Sequence, residues 1–160
     1  LLDTAPDFIL SMNLLLSTPE ETVRNIVNTN LIGTIFCTRE IIPAFVRSKA
    51  GRIINFSSLA VKIGLQGESV YVASKAGVEG FSRSIARELA SFNVTVNCIS
   101  PGPVKTRLTE KVPKTYIDKV MQQQIMTDQC TEEDILNCVK LILDSKSDKI
   151  TGENFIIGGF

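Results

Sequence analysis

Gly51-Arg52-Ile53-Ile54-Asn55-Phe56-Ser57-Ser58 is a short, apolar, β-branched run that opens on a glycine and closes on two serines. A run without polar alternation reads as a strand covered on both faces, the kind that a parallel sheet uses. Downstream, Gly64 and Gly67 mark a loop. Val78, Phe81, Ile85 and Leu89 then share one stripe of a helix predicted from about 69 to 92. Val94 to Ile99 repeats the buried-strand pattern and stops at Ser100-Pro101-Gly102-Pro103. Upstream, Thr18-Pro19-Glu20-Glu21 reads as a helix start, with Thr18 as cap, Pro19 in the first helical position and Glu21 reaching back. Val23, Ile26, Val27, Leu31, Ile35, Phe36, Ile42, Phe45 and Val46 continue that helix, and Pro43 is expected to kink it near its end. Lys105 to Gln129 is polar and rich in Lys and Gln, and reads as a mobile insertion with some helix. Thr131-Glu132-Glu133-Asp134 caps a helix over 132–144, and Asn154 to Ile157 forms a last strand. Helix and strand alternate, which predicts a single α/β domain built on an open, mostly parallel sheet.

Tyr71 and Lys75 lie four residues apart, and Ser58 lies thirteen residues before the tyrosine. On a helix, positions i and i+4 sit one above the other. The spacing therefore sets a phenol beside an ammonium, with a hydroxyl arriving from the end of the preceding strand. A phenol titrates near pH ~10 and needs a nearby cation before it is a useful acid–base group at neutrality. Lys75 is expected to lower its pKa. A proton donor of that kind suits reduction of a carbonyl by hydride. Read singly, Tyr71 and Lys75 could be a surface helix pair, Ser58 a strand-end cap, and Pro101-Gly102-Pro103 a plain loop.

The bulk numbers narrow the chemistry. The chain has 160 residues, 44% of them hydrophobic and 21% charged, enough for one globular core. No apolar run reaches the ~18–20 residues that span a bilayer, and no signal peptide is read at the start. Seventeen basic residues balance seventeen acidic ones, so nucleic acid and membrane surfaces are not expected partners. Cys37, Cys98, Cys130 and Cys138 form no C-x-x-C pair and read as reduced thiols, which predicts a cytoplasmic setting. There is no histidine. Ser-His-Asp and Cys-His catalysis are thereby excluded, and a catalytic zinc site is disfavoured.

These motifs together resemble the short-chain dehydrogenase/reductase family, over nearly the whole chain from about Ser11. Asn30, in Asn28-Thr29-Asn30-Leu31, resembles that family's catalytic asparagine, and Ser58 its catalytic serine. Tyr71-Val72-Ala73-Ser74-Lys75 matches its Y-x-x-x-K signature, and Pro101-Gly102-Pro103-Val104 with Thr106 its nicotinamide-side turn. Within the family the pattern is most similar to 3-oxoacyl-[acyl-carrier-protein] reductases. The resemblance implies a Rossmann-type doubly wound fold, with NAD or NADP as cofactor and a small-molecule carbonyl or alcohol, such as a 3-oxoacyl thioester, as substrate. It implies Tyr71 as general acid, Lys75 on the nicotinamide ribose, Ser58 on the substrate oxygen, and Asn30 holding a relay water. Pro101, Gly102, Val104 and Thr106 would touch the cofactor. A homodimer or homotetramer through the two long helices is also implied.

The sequence departs from the family in one respect. The glycine-rich G-x-x-x-G-x-G turn does not occur, and residues 5–9 read Ala5-Pro6-Asp7-Phe8-Ile9 where the family has Asn-Asn-Ala-Gly. By that comparison roughly the first third of the domain is missing. A second expectation follows, of a non-catalytic fragment that keeps only an association surface.

Overall fold

The computed structural model describes residues 14–105, 109 and 112–160. Helix α1 (Glu20–Val27) passes through a π-helical turn, Asn28–Ile32, into α2 (Gly33–Ser48). Strand β1 (Gly51–Phe56) follows, then the short α3 (Ala60–Ile63) and the long α4 (Ser69–Leu89). Strand β2 (Val94–Pro101), α5 (Lys114–Met121), α6 (Glu132–Leu143) and β3 (Asn154–Ile157) complete the order.

The three strands form one parallel sheet in the order β1-β2-β3. Gly51 pairs with Val94 and Phe56 with Ile99, while Cys98 pairs with Asn154 and Pro101 with Ile157. Consecutive strand residues point to opposite faces, and both faces are covered. Ile53, Val94 and Val96 pack against Ile85, Ala86 and Leu89 of α4, with Ile42, Phe45 and Val46 of α2 beside them. Ile54, Ile99, Phe155 and Ile157 pack on the other side with Cys138, Val139 and Ile142 of α6. This is the parallel α/β sheet that the alternation of elements predicted, covered on both faces as the resemblance to a doubly wound fold implied.

Three local expectations change. Thr18 does not cap α1, because its hydroxyl donates to the Leu14 carbonyl at 3.1 Å; the helix starts at Glu20, with Pro19 in the cap position. The irregularity of the first long helix falls at Asn28–Ile32, and α2 runs through Pro43 to Ser48. The insertion is tied down over its described part. Met126 N–H donates to the Gly158 carbonyl at 2.9 Å, and Val104 bridges Cys130. The Thr131 capping box is present, with the Thr131 side chain accepting from Asp134 N–H and the Asp134 carboxylate accepting from Thr131 N–H.

Ile99, fully buried in the α6-side core, should be costly to truncate. Ile99→Ala is expected to lower unfolding free energy by about 2–5 kcal/mol in urea titrations. Leu136→Ala, on the exposed side of α6, should stay within about 0.5 kcal/mol.

Candidate active site

Parallel strands end on the same edge of their sheet, and the candidate residues collect there. Ser57 and Ser58 follow β1, and Pro101 to Val104 follow from β2. The backbone joins these turns: Ser57 N–H donates to the Ile99 carbonyl at 2.8 Å and Leu59 N–H to the Pro101 carbonyl at 3.0 Å. The turns, with Glu68 and Tyr71 from the start of α4 and Tyr116 from α5, line a cavity of about 220 Å³.

Within it, Ser58 and Tyr71 line the same wall, and the Ser58 hydroxyl acts to lower the pKa of the Tyr71 phenol. Ser58 Oγ also accepts from Ala60 N–H at 3.2 Å. Ser57 is committed elsewhere, with its hydroxyl donating to the buried Glu79 carboxylate at 2.7 Å. The neighbouring serines are thus divided between structure and cavity. The thirteen-residue spacing picked out the one at the phenol.

Tyr71 and Lys75 share a face of α4, the Lys75 ammonium lying 5.9 Å from the centre of the phenol ring. Its strongest contact is another group: Nζ donates to the Phe56 carbonyl at 3.0 Å. Contrary to the expected fall, the Tyr71 pKa is raised. Burial is the main cause, the Ser58 hydrogen bond opposes it, and the Glu68 carboxyl adds to it. Burial lowers the Lys75 pKa, with the Cys98 thiol acting against that.

Asn30 sits in the π-helical turn, almost fully buried, and its side-chain amide donates to Ser74 Oγ at 3.1 Å. It shares a second hollow, of about 430 Å³, with Lys75, Thr34 and the outer side of Ile54 to Phe56. The structure therefore groups Ser58, Tyr71, Pro101, Gly102 and Val104 in one cavity, and Asn30 and Lys75 in another. Thr106 lies outside the described residues. Among the described residues no cluster of His, Cys, Asp and Glu could hold a metal ion, and no helix is long and apolar enough to cross a membrane.

Sequence reasoning passed over Glu68, Tyr116 and Gln124. Burial raises the Glu68 pKa, with Tyr116 acting against it. Gln124 is buried against Gly102, where an added Cβ would meet its Nε2 at 2.5 Å, and against Gly158, whose φ is +95°. Only the low polarity around residue 71 could have drawn notice to Glu68. Nothing in the Gln122-Gln123-Gln124 run singles out its last member.

A cleft at the carboxyl ends of parallel strands is where open α/β sheets bind nucleotides. The class this fold and site define is borne out by comparison with known proteins. The family described as enoyl-(acyl carrier protein) reductase matches residues 5–159. The chain belongs to the short-chain dehydrogenase/reductase family. It is 33% identical over 147 residues to the 3-oxoacyl-[acyl-carrier-protein] reductase FabG of Staphylococcus epidermidis, covering 92% of this chain and 60% of that protein. Nodulation protein G of Rhizobium meliloti is 34% identical over 134 residues, covering 84% of this chain and 55% of that protein. Among solved structures, 4-hydroxyisoleucine dehydrogenase complexed with NADH superposes with a TM-score of 0.87 at 28% identity, over 94% of this chain and 64% of that one. The chain thus spans about three-fifths of the length of these relatives.

Removing the Ser57 hydroxyl would leave a buried carboxylate short of a donor. Ser57→Ala should cost about 1–3 kcal/mol of stability, measured by urea unfolding.

Proposed function

We propose that this chain carries the proton-transfer site of an oxidoreductase that interconverts a ketone and a secondary alcohol, with NAD or NADP as the partner. The observation that supports this most is that Ser58 and Tyr71 share one cavity with the turn Pro101-Gly102-Pro103-Val104. A solved relative is complexed with NADH, and a curated one is a 3-oxoacyl reductase. The turn Pro101-Gly102-Pro103-Val104 lines the same cavity as the phenol, so a nicotinamide edge held there would lie beside Tyr71. Bound there, the cofactor would supply or accept hydride. The chain's own groups manage the oxygen: Ser58 orients and polarises the carbonyl, and Tyr71 gives up its hydroxyl proton as charge builds on that oxygen. Lys75 supplies a positive charge one helical turn away and could hold the ribose hydroxyls. Asn30 and Lys75 would hold the relay water in the second hollow. Thr106 would complete the cofactor side. The two long helical segments would pair two or four copies.

A phenol held above its ordinary value of 10.0 is a donor throughout the neutral range. Reduction should therefore be flat with pH near neutrality and fall only as the phenol ionises above that value, whereas alcohol oxidation should rise with pH. Rate profiles in both directions check this; a reduction rate that collapses between pH ~6 and ~8 would point to another acid. Tyr71→Phe in the full-length protein should lower ketone reduction by about 10²–10⁴-fold. Isothermal titration should find its NADH or NADPH affinity nearly unchanged. Activity equal to wild type would remove Tyr71 from the reaction.

A further inference from the structure

The cavity at Tyr71 contains a polar pair that proton transfer does not use. Glu68 precedes α4 and is only 4% exposed. The Tyr116 hydroxyl approaches it from α5 and is buried without a hydrogen-bond partner. The two groups interact. The Glu68 carboxyl and burial together push the Tyr116 phenol far above its ordinary range, burial being the larger cause, and Tyr116 in turn holds the Glu68 pKa down against its own burial. Among the described residues that line the cavity none is a lysine or arginine. The rest of the wall is largely apolar, from Leu59 and Leu65 to Val112 and Ile117.

A buried phenol hydroxyl left without a partner costs free energy unless a ligand completes it, and the buried Glu68 carboxyl lies beside it. A hydroxyl suits both, since it can accept from Tyr116 and donate to Glu68. It can do so whether the carboxyl is ionised or not, because a carboxyl oxygen accepts in either state. A thioester or ketone oxygen can only accept, and an alkyl chain can do neither. We propose that Glu68 and Tyr116 form a hydroxyl subsite beside Tyr71, so that the substrate is a ketone with a hydroxyl group near its carbonyl. This rests on the ketone–alcohol reading and names its substrate class.

Matched probes test it: butane-1,2-diol against butan-2-ol for binding, followed by ligand-observed NMR on the full-length protein, and 1-hydroxybutan-2-one against butan-2-one and an acetoacetyl thioester for turnover. The wild type should favour the hydroxylated member of each pair by about tenfold or more, the scale of one well-placed hydrogen bond. Tyr116→Phe and Glu68→Leu should each bring that ratio to within about twofold of one. Glu68→Gln, which keeps an acceptor, should retain most of it. A wild-type ratio near one, a ratio unchanged in both Tyr116→Phe and Glu68→Leu, or an equal loss of affinity for both probes would overturn the subsite; the last would make the pair a brace between α5 and α4. Diol preference in a protein that reduces no ketone would keep the subsite and overturn the ketone reading. Ketone reduction without hydroxyl preference would do the reverse.

Discussion

Phe56 pairs with Ile99 and Pro101 with Ile157, all in parallel, so three strands deliver their last residues to one edge of the sheet. Everything at the cavity depends on that register. A parallel ladder places the turn after β1 next to the turn after β2, and backbone hydrogen bonds from Ser57 to Ile99 and from Leu59 to Pro101 lock them together. Ser58 and Gly102 are 44 positions apart in sequence yet line the same hollow. A slip of one residue would turn Ile53 and Ile54 to the wrong faces and dismantle both cores. The core on either side of the sheet is therefore what holds the turns that line the cavity in place.

Burial then decides the electrostatics. A single hydrogen bond from Ser58 is worth roughly 0.5–1.5 kcal/mol net, about one pKa unit or less. Taking an ionisable group out of water can move its pKa by up to ~3–5 units. The phenol of Tyr71 accordingly rises despite Ser58, and the ammonium of Lys75 falls. Lys75 Nζ is engaged by the Phe56 carbonyl at the end of β1. The i, i+4 spacing predicted proximity well. It could not show how dry the site is, and dryness sets the sign.

What was legible in the sequence follows from what is local. The strands Gly51–Phe56 and Val94–Pro101 announce themselves by short apolar stretches rich in Ile and Val, and Thr131 with Asp134 states its cap within four residues. Ser58 and Tyr71 were readable because they match the family pattern that the sequence resembles, and Tyr71 also because it shares a helix face with Lys75. The π-helical turn at Asn28–Ile32 was not, since the apolar spacing of α1 and α2 continues through it. Thr18 misled because a threonine before Pro-Glu-Glu looks like a cap, while its hydroxyl is taken by Leu14 in the preceding turn. Glu68 and Tyr116 were invisible for a different reason: they are 48 positions apart, and only the folding of α5 over the cavity brings a phenol to a carboxyl.

That folding has its own cause. The segment leaving α5 is fixed to the ends of two strands. Gln124 is buried against Gly102 after β2 and Gly158 after β3, and a Cβ at either glycine would run into its carboxamide. Met126 bonds to the Gly158 carbonyl, and Cys130 bridges Val104. A run of lysines and glutamines looks mobile by composition, yet Gln124, Met126 and Cys130 tie its described end to the strand ends. The two glycines thus seat the segment that leaves α5, the helix whose Tyr116 lines the same cavity as Tyr71.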